Sequence, residues 1–299
     1  MVFSNKLLRR EAAFAYMMLI PGIVLLLVFT FYPVIRGLPL AFTDYSVIDT
    51  THWVGWKNFK RAFSDPTFGL ALKHSLLYVV VVPVLQIISI LMAILVNNKL
   101  RFVSFFRIAY FVPVVTSMVA AAIAWKWVYE EQGILNYFLM KLHIISEPVV
   151  FMVETKLALV GVMIVTVWKG MGYYMMIYLA GLQSIPSEMQ EAARIDGANR
   201  WRVIWHITIP LLMPFVLLCS LMSVMGAIQV FDEVFVMHGQ LGDPAYSTIT
   251  TSVYSYKVAF ADFEFGYAAT IGLLVSFIIM AISILMFRYT RKGGLTYYE

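Results

Sequence analysis

The sequence has few charged residues and almost no cysteine. Asp, Glu, Lys and Arg make up 13% of its 299 residues, roughly half of the share that is usual in soluble domains. Its one cysteine, Cys219, has no partner in the chain, which excludes an internal disulfide and leaves the redox compartment open. There is no Gly-x4-Gly-Lys-Ser/Thr motif, which excludes a phosphate-binding P-loop. The basic residues form no clustered surface, so we predict no nucleic-acid partner.

Patterns for catalysis and metal binding are missing as well. The sequence contains no His-Glu-x-x-His, no Gly-x-Ser-x-Gly and no Cys/His set with metal-ligand spacing. The five histidines are scattered, and structural or surface roles fit them better than ligation. We therefore predict no catalytic residues and no metal site on this chain.

Long apolar stretches dominate what is present. Hydrophobic residues make up 61% of the chain, more apolar surface than a soluble protein of this length hides. A membrane-spanning helix needs about 20 apolar residues, and backbone groups in lipid must be satisfied within the segment, which favours helices over open strands. We predict an all-α membrane protein with one membrane domain over residues 13–289. Its six transmembrane helices fall at about residues 14–35, 76–96, 103–125, 157–182, 204–230 and 266–287.

The two chain ends are predicted to be cytoplasmic. The first apolar stretch is about 22 residues long, beyond the roughly 7–15 of a signal-peptide core, so we expect it to be retained as a helix. The four predicted inner segments carry 12 Lys and Arg in 56 residues, and the three outer ones carry 9 in 103. This asymmetry follows the positive-inside rule. The inner segments are 1–12, 97–107, 183–203 and 288–299, and the outer ones are 36–73, 126–156 and 231–264.

Residues 186–203 form a polar segment between the fourth and fifth apolar stretches. Pro186 predicts the end of the preceding helix. Ser187 followed by Gln190 has the form of a capping box, which predicts a new helix from about Glu188. Gly197 lies where that helix must stop and turn.

One face of the predicted short helix has the form of a docking surface. It carries Met189, Ala192, Ala193 and Asp196, and its two alanines leave room for another protein to close over the backbone. Glu191 is placed to interact with the helix N-terminus or with a basic group of a partner. Beyond the turn, residues 200–202 open a second short helix that runs into the fifth span. The alternative is an ordinary helix–turn–helix link between two spans.

The spacing within this segment resembles the EAA loop of ABC importer permeases. Glu191-Ala192-Ala193 is followed after three residues by Gly197, and nine residues later by Ile207-Thr208-Ile209-Pro210. The family pattern ends in Ile-x-Leu-Pro, and Ile209 stands in place of the leucine. Within that family the loop takes up force from an ATPase on a separate chain. The resemblance implies that Glu191, Ala192, Ala193, Asp196 and Gly197 couple this chain to such an ATPase.

Further motifs are similar to those of carbohydrate-uptake permeases, especially the subunit with the longer N-terminal part in the maltose and glycerol-phosphate systems. The sequence departs from the family at residues 239–244, where a shorter Gly-Gly-Pro loop is usual. The motifs that carry the resemblance are Pro21-Gly22, Phe31-Tyr32-Pro33, Phe42-Thr43-Asp44-Tyr45, Trp53-Val54-Gly55, Asn58-Phe59 and Gly266-Tyr267-Ala268-Ala269.

The resemblance implies a complete set of partners and a location. The fold would be that of a type I ABC importer transmembrane domain, with a translocation path shared with a second homologous permease subunit. Two cytoplasmic ABC ATPase subunits would bind ATP and Mg²⁺, so no cofactor is expected on this chain. An extracytoplasmic solute-binding protein would deliver a sugar, expected to be an oligosaccharide. The setting would be the lipid of a bacterial or archaeal inner membrane.

A sugar path needs aromatic faces and hydrogen-bonding groups inside the apolar bundle. The fourth span offers Trp168, Lys169, Gly170 and Tyr173 near the bilayer middle, and by resemblance to the maltose permease Gly170 and Tyr173 match substrate-site positions. Two glycines, at 170 and 172, are able to bend that helix. The alternative is a packing kink with buried aromatic residues. The fifth span offers Ser223, Gln229, Phe231 and Asp232.

Two points on the fifth span and on Lys169 stay open. Gln229 and Asp232 are three residues apart, which places them on one face of a continuous helix, and interhelical hydrogen bonding is the alternative to a role in the path. A charge as deep as Lys169 usually faces a cavity or a partner. It is expected to pair with Asp232 or Glu233, or else to attract an anionic sugar or a sugar phosphate.

Two other classes of function remain as alternatives. A stand-alone secondary carrier would need a coupling-ion site or symmetry within the chain, and neither is visible in the sequence. A membrane enzyme would need a convergent acid–base or metal set.

In the first outer loop, Trp53, Trp56, Phe59 and Phe63 have helix-like spacing beside basic residues, which predicts a short interfacial helix or an ordinary loop.

Overall fold

A computed structural model describes residues 2–46, 50–97 and 102–293, with side chains over 10–46, 50–97 and 102–288. In these ranges the chain is helical apart from turns and one isolated antiparallel bridge between Thr43 and Trp53. This confirms the predicted all-α class. The predicted domain bounds stay predictions, and the tail predicted over residues 290–299 lies outside the described residues from 294 onward.

The helices follow one another in chain order. The first eight are α1 (Val2–Leu26), α2 (Tyr32–Leu40), α3 (Lys57–Ser64), α4 (Pro66–Tyr78), α5 (Val81–Asn97), α6 (Val103–Val115), α7 (Met118–Tyr129) and α8 (Ile134–Lys141). The others are α9 (Thr155–Gln183), α10 (Ser187–Ile195), α11 (Arg200–Val203), α12 (Ile209–Ile228), α13 (Asp232–His238), α14 (Thr251–Phe260) and α15 (Phe265–Gly293).

Five helical runs of the described chain are long and apolar enough to cross a membrane, and a bent pair of helices brings the number to six. Each covers most or all of one predicted span. The five runs are Arg10–Leu40, Pro66–Asn97, Thr155–Gln183, Arg200–His238 and Phe265–Arg288. The bent pair is α6 and α7.

The prediction of one continuous helix over 103–125 is wrong. α6 and α7 meet at an angle of 100°. Thr116 and Ser117 between them have extended backbones, with ψ of 144° and 137°. Pro113 removes one backbone donor from the last turn of α6, and the Thr116 hydroxyl donates to Pro113 O at 2.6 Å, the carbonyl that a continuing helix would use. An apolar run carries no signal for such a change of direction.

Two other prolines are accommodated without a break. π-Helical turns at Leu27–Phe31 and Ile204–Thr208 end two residues before Pro33 and Pro210. A proline ring clashes with the carbonyl four residues earlier in an α-helix, and in both cases that carbonyl lies within the wider turn. Helical structure therefore continues through each proline.

The chain divides into two compact units, Met1–Ser64 with Val258–Leu273, and Asp65–Lys257 with Leu274–Glu299. In the second unit, α5, α9 and α12 pack on one another around a hydrophobic cluster. Its buried members are Ala93, Val96, Met175, Tyr178, Leu179, Leu182, Leu212 and Cys219.

In the first unit, α3 confirms a short helix at Phe59 and Phe63, whereas Trp53 and Trp56 precede it. Buried Asn58 donates to Ala41 O at 3.2 Å and to Thr43 O at 2.8 Å, which fixes the helix on the preceding turn. Arg61 forms an ion pair of 2.7 Å with Glu264. Trp53, Trp56 and Phe63 are each more than 60% exposed, whereas Phe59 is buried. The position of these aromatic residues in the membrane interface stays a prediction.

Candidate transport cavity and coupling helix

The polar segment between the fourth and fifth spans forms a short, largely exposed helix, α10. The predicted capping box is wrong, because Ser187 is already the first helical residue and Pro186 precedes it with no side-chain cap. None of the nine residues of α10 is buried. Ile195 is 86% exposed and Met189 45% exposed. Single exposed apolar side chains are ordinary at a protein surface, so Ile195 alone does not identify a docking surface.

Gly197 ends α10 as predicted. Its φ is +83°, in the left-handed region that favours glycine. The Gly197 N–H donates to Arg194 O at 3.1 Å, and the Ala198 N–H donates to Ala193 O at 2.9 Å. This pair of hydrogen bonds is the Schellman arrangement that satisfies the last carbonyls of a helix. The turn is therefore fixed by backbone geometry at the glycine.

The predicted docking face of α10 is largely free of contacts within the chain. Met189, Ala192 and Asp196 are exposed, and Ala193 is half-buried. Gln190, three residues before Ala193 on the helix, is half-buried as well. Glu191 is exposed as well. The assignment of these residues to ATPase coupling stays a prediction.

A second short helix follows, as predicted. Asn199 caps it by accepting a hydrogen bond of 2.8 Å from the Arg202 N–H. From Arg200 the helical backbone runs through the π turn into α12 and ends at Ile228. Beyond the turn at Gly197, helical backbone thus connects Arg200 to the end of the fifth span.

A cavity of about 390 Å³ lies within the second unit, between α5, α9, α12 and the bend of the third span. Five predicted path residues line it together: Lys169, Gly170, Tyr173, Ser223 and Asp232. The other lining residues are Val81, Val82, Leu85, Val114, Met118, Thr166, Tyr174, Gly226, Ala227, Val230 and Glu233. The wall thus combines apolar surface with two tyrosines, two hydroxyl side chains and three charged groups.

Three predicted path residues do not line this cavity. Trp168 lies at a separate apolar cavity, where its ring meets Trp125 edge-on at 5.6 Å between centroids. Gln229 is exposed at the end of α12. Phe231 stacks on Phe235 at 5.1 Å between centroids. Their assignment to the path stays a prediction.

The shared face predicted for Gln229 and Asp232 is wrong, because the helix is interrupted between them. α12 ends at Ile228, and α13 begins at Asp232. Phe231, with φ of −134° and ψ of −64°, precedes the new helix. Spacing along a continuous helix therefore does not apply across residues 229–231.

Lys169 contacts the broken third span. Its ammonium donates to Thr116 O at 2.6 Å, to Pro113 O at 3.1 Å and to Val114 O at 3.3 Å. These carbonyls belong to the end of α6, where no further helical turn supplies donors. Within the described residues Lys169 forms no ion pair with Asp232 or Glu233.

One hydroxyl residue at the cavity, Thr166, was missed from the sequence, and Glu233 was named only as a partner for Lys169. The Tyr78 hydroxyl lies 2.6 Å from Thr166 Oγ1, and Thr166 Oγ1 donates to Glu233 Oε1 at 3.2 Å. Thr166 lies three and seven residues before Lys169 and Tyr173, so helical spacing was a usable signal. Glu233 is a second acid beside Asp232 in an apolar stretch, which is also a signal.

A buried hydrogen-bond chain lies beside the cavity. The Tyr178 hydroxyl donates to Gln86 Oε1, Gln86 Nε2 donates to Ser223 Oγ, and Ser223 Oγ donates to Cys219 O. Tyr178, Gln86 and Ser223 are each at most 5% exposed. Side chains of α5, α9 and α12 are thereby joined at a place where lipid offers no alternative partner.

The two glycines of the fourth span have different surroundings in a helix that runs unbroken over Thr155–Gln183. A Cβ at Gly172 would lie 2.0 Å from Tyr110 O, so this glycine permits the close approach of α6 and α9. A Cβ at Gly170 would meet Leu85 methyl groups at 3.3 Å.

The sequence was compared with known protein families and curated proteins, and the structure with solved structures. Residues 86–292 match the family described as "Binding-protein-dependent transport system inner membrane component". The chain belongs to this family. It is therefore a membrane-spanning permease subunit of an ABC importer, and ATP hydrolysis belongs to separate chains. The EAA segment found at Glu191–Gly197 is typical of the family.

Two relatives have names that specify a transported sugar. The lactose transport system permease protein LacF of Rhizobium radiobacter is 36% identical over 276 residues, which cover 91% of this chain and 92% of that protein. The arabinooligosaccharides permease protein AraP of Bacillus subtilis (strain 168) is 31% identical over 283 residues, or 92% and 88% of the two chains.

A solved structure shares the fold. It is a crystal structure of a bacterial ABC transporter involved in the import of the acidic polysaccharide alginate, with a TM-score of 0.82. The likeness covers 95% of this chain and 97% of that one at 23% identity. This level of identity shows a common architecture, and the substrate has to be argued from the cavity of this chain.

Proposed function

We propose that this permease carries a neutral sugar, of disaccharide to oligosaccharide size, through the 390 Å³ cavity between α5, α9 and α12. The main support is the composition of the cavity wall, in which Tyr173 and Tyr174 lie beside the hydroxyls of Thr166 and Ser223. Tyrosine rings can cover the apolar face of a pyranose, and hydroxyls exchange hydrogen bonds with its rim. The names of the lactose and arabinooligosaccharide relatives support the same class.

The charges at the cavity favour a neutral sugar over an acidic one. Lys169, Asp232 and Glu233 line it, which is one cation to two acids. The cation is already engaged by three carbonyl oxygens of the third span. A carboxylate or phosphate on the substrate would be repelled by two acidic side chains, and the lysine is already bonded to protein carbonyls. This repulsion is strong in a low-dielectric site. Anionic sugars and sugar phosphates are therefore the less favoured substrates.

The α10 helix is proposed as the lever that receives force from an ATPase. Its exposed face carries Met189, Ala192 and Asp196, and its end is fixed by the turn at Gly197. Because helical structure continues from Arg200 to Ile228, a push on the lever would reach α12 and the cavity wall. ATP-driven approach of two ATPase subunits would then switch the cavity between inward and outward access.

The remaining partners follow from the family and are part of the proposal. They are a second, homologous permease subunit, two cytoplasmic ATPases that bind ATP and Mg²⁺, and an extracytoplasmic sugar-binding protein. The related alginate transporter has been solved in complex with a pentasaccharide-bound periplasmic protein. We place the complex in a bacterial or archaeal inner membrane, with both ends of this chain in the cytoplasm.

Filling the cavity tests the path. A Cβ at Gly226 meets no atom within 4 Å, and Gly226 lines the cavity, so Gly226→Trp would place an indole in the path. We expect sugar uptake to be lost while the complex still assembles. Gly69→Trp is the matched control, since Gly69 is also open and does not line the cavity. Uptake at the wild-type rate in a stable Gly226→Trp complex would contradict the assignment.

Removing an exposed charge from the lever tests the coupling. Glu191→Ala is expected to lower ATP-driven uptake and the recovery of ATPase with the purified permease. Glu131→Ala, in the α7–α8 connection, is the control for loss of an exposed carboxylate. Normal uptake and assembly in both Glu191→Ala and Gly197→Ala would refute the coupling role. Uptake that persists without any ATPase chain would instead favour a secondary carrier.

A neutral and an acidic probe test the substrate class. Cells that produce the complete importer are given labelled lactose, a labelled arabino-oligosaccharide and a labelled uronic-acid oligosaccharide in separate assays. We expect uptake of at least one neutral sugar. Uptake of the uronic-acid oligosaccharide alone would overturn the proposed preference and leave the permease role intact.

A further inference from the structure

A small polar cavity of about 70 Å³ lies where α10 meets the spans of the second unit. Gln190 and Arg194 reach it from α10, Arg200 from α11, Asn97 from the end of α5, and Thr208 from the π turn. The volume is enough for roughly five water molecules, or for one phosphate group. It is far too small for a sugar ring with its hydroxyls, so it is not a second part of the transport path.

The basic groups at this cavity have no partner among the described residues. Neither Arg194 nor Arg200 forms a side-chain hydrogen bond or an ion pair there, and no acidic residue lines the cavity. Arg107 does not line the cavity, and it donates to Val96 O at 2.8 Å, next to Asn97. Two arginines that converge with an amide and a hydroxyl form a donor set suited to a phosphate.

Neighbouring aromatic residues indicate the level of the cavity in the membrane. Trp201 is 68% exposed and Trp205 is 64% exposed, and both lie at the beginning of the run Arg200–His238. Exposed tryptophans at the end of a span are typical of the headgroup region. Arg200 lies directly before Trp201 in the sequence, which favours a position of the cavity near the lipid phosphates.

We propose that this cavity binds a phosphate-bearing anion, and that its source is the headgroup of an anionic phospholipid of the inner leaflet. Basic pockets between spans on the cytoplasmic side are suited to such headgroups. A phosphate between Arg194 and Arg200 would join the lever helix α10 to the start of the fifth span. The lipid would then fix the position of the lever relative to the membrane before an ATPase acts on it.

Lipid retention by the purified importer complex tests this proposal independently of transport. The complex is reconstituted in vesicles of phosphatidylcholine with phosphatidylglycerol, re-extracted, and its retained lipid is measured by native mass spectrometry. We expect enrichment of phosphatidylglycerol over phosphatidylcholine. In Arg194→Gln/Arg200→Gln the enrichment should fall at least fivefold, because each basic group near an anionic membrane contributes roughly a fivefold preference.

Two variants and one competitor make the result specific. Arg202→Gln removes a neighbouring exposed arginine that does not line the cavity and should leave the enrichment unchanged. Arg194→Lys/Arg200→Lys keeps both charges and should restore most of it if the double glutamine variant assembles poorly. Inorganic phosphate in phosphatidylcholine vesicles is the second arm. Protection of Arg194 and Arg200 from a guanidine-reactive reagent by phosphate, without lipid enrichment, would support the phosphate site and assign it to a soluble anion.

Two outcomes would overturn the proposal. One is equal retention of both lipids by the wild type and the double glutamine variant, with no protection by phosphate. The other is loss of ATPase binding in the double variant with unchanged phosphatidylglycerol enrichment, which would assign the arginines to the protein partner. Neither result depends on sugar uptake, so the lipid site can fail while the transport function stands.

Discussion

Lys169 Nζ lies 2.6 Å from the carbonyl oxygen of Thr116, the residue at which the third span changes direction. The same ammonium reaches two carbonyls of the preceding turn, Pro113 O and Val114 O. The last carbonyls of a helix carry partial negative charge and lack donors. A lysine midway along α9 therefore serves as the cap of α6, and Val114 and Met118 on either side of the bend form part of the cavity wall.

Replacing the cap should loosen the bend. Lys169→Met keeps an unbranched apolar side chain one atom shorter and removes the donors, which leaves carbonyls unsatisfied in a region where lipid supplies none. We expect a loss of about 2 kcal/mol of stability and a marked fall in uptake. The measurements are thermal unfolding of the purified complex and uptake of labelled sugar.

Two further variants distinguish the effect of the charge at residue 169 from the effect of its position in α9. Lys169→Arg retains several donors and should recover part of the stability and uptake. Lys156→Met removes an exposed lysine in the first turn of the same helix and should change neither. If Lys169→Met were as stable as the wild type and instead accepted a different charge class of sugar, Lys169 would be a substrate contact and not a cap.

The role of Lys169 shows where sequence reasoning stopped. The apolar stretches predicted the spans because length and hydropathy decide whether a helix can cross a membrane. The partner of Lys169 could not be predicted, since it is a set of backbone carbonyls 53 to 56 positions away in sequence. Those carbonyls became available only because the third span breaks at Thr116. The lysine was identified as exceptional, and its partner depended on tertiary structure.

Any side chain at Gly197 should strain the turn that ends α10. Its φ of +83° costs an L-residue about 1–2 kcal/mol, and no neighbouring atom lies within 4 Å of a built Cβ. Gly197→Ala should therefore strain the backbone without a steric clash, distort the end of α10 and lower ATP-driven uptake. Gly69→Ala, a glycine in a helix with equally open surroundings, is the control and should keep wild-type uptake. Equal uptake in both variants would show that the left-handed turn is dispensable.

The fourth span offers a direct comparison between two glycines. Gly172→Ala would force α6 and α9 apart, because its Cβ would lie 2.0 Å from Tyr110 O. Such overpacking costs about 1–3 kcal/mol. Gly170→Ala meets only movable Leu85 methyl groups at 3.3 Å and should cost less than about 1 kcal/mol. Thermal unfolding of the two variants should place Gly172→Ala clearly below Gly170→Ala. The reverse order would mean that the two helices do not approach as closely as Tyr110 and Gly172 do here.

Local signals succeeded or failed for identifiable reasons. The end of α10 was predictable because the left-handed turn is a property of Gly197 itself. Its start was predicted at about Glu188 and lies at Ser187, whereas the capping box was wrong because Pro186 already occupies the capping position. Likewise, the spacing of Gln229 and Asp232 was read along a helix that the structure interrupts. A prediction that depends on one residue, such as the turn at Gly197, was reliable. A prediction that depends on helical spacing fails where the helix is interrupted.

The hydrogen-bond chain beside the cavity should contribute stability through its tyrosine. Tyr178→Phe removes the donor to Gln86 Oε1 and leaves that buried acceptor without its partner, while the ring packing is kept. We expect a loss of about 1 kcal/mol, in line with interhelical hydrogen bonds in membranes. Tyr137→Phe, at a ring that is 59% exposed, is the control and should change the unfolding temperature little.

Because Ser223 belongs to the same hydrogen-bond chain and lines the cavity, Tyr178→Phe should also raise the KM for sugar more than it lowers the maximal rate. A stable variant with unchanged KM would show that the chain supports packing alone and does not orient Ser223 toward the substrate.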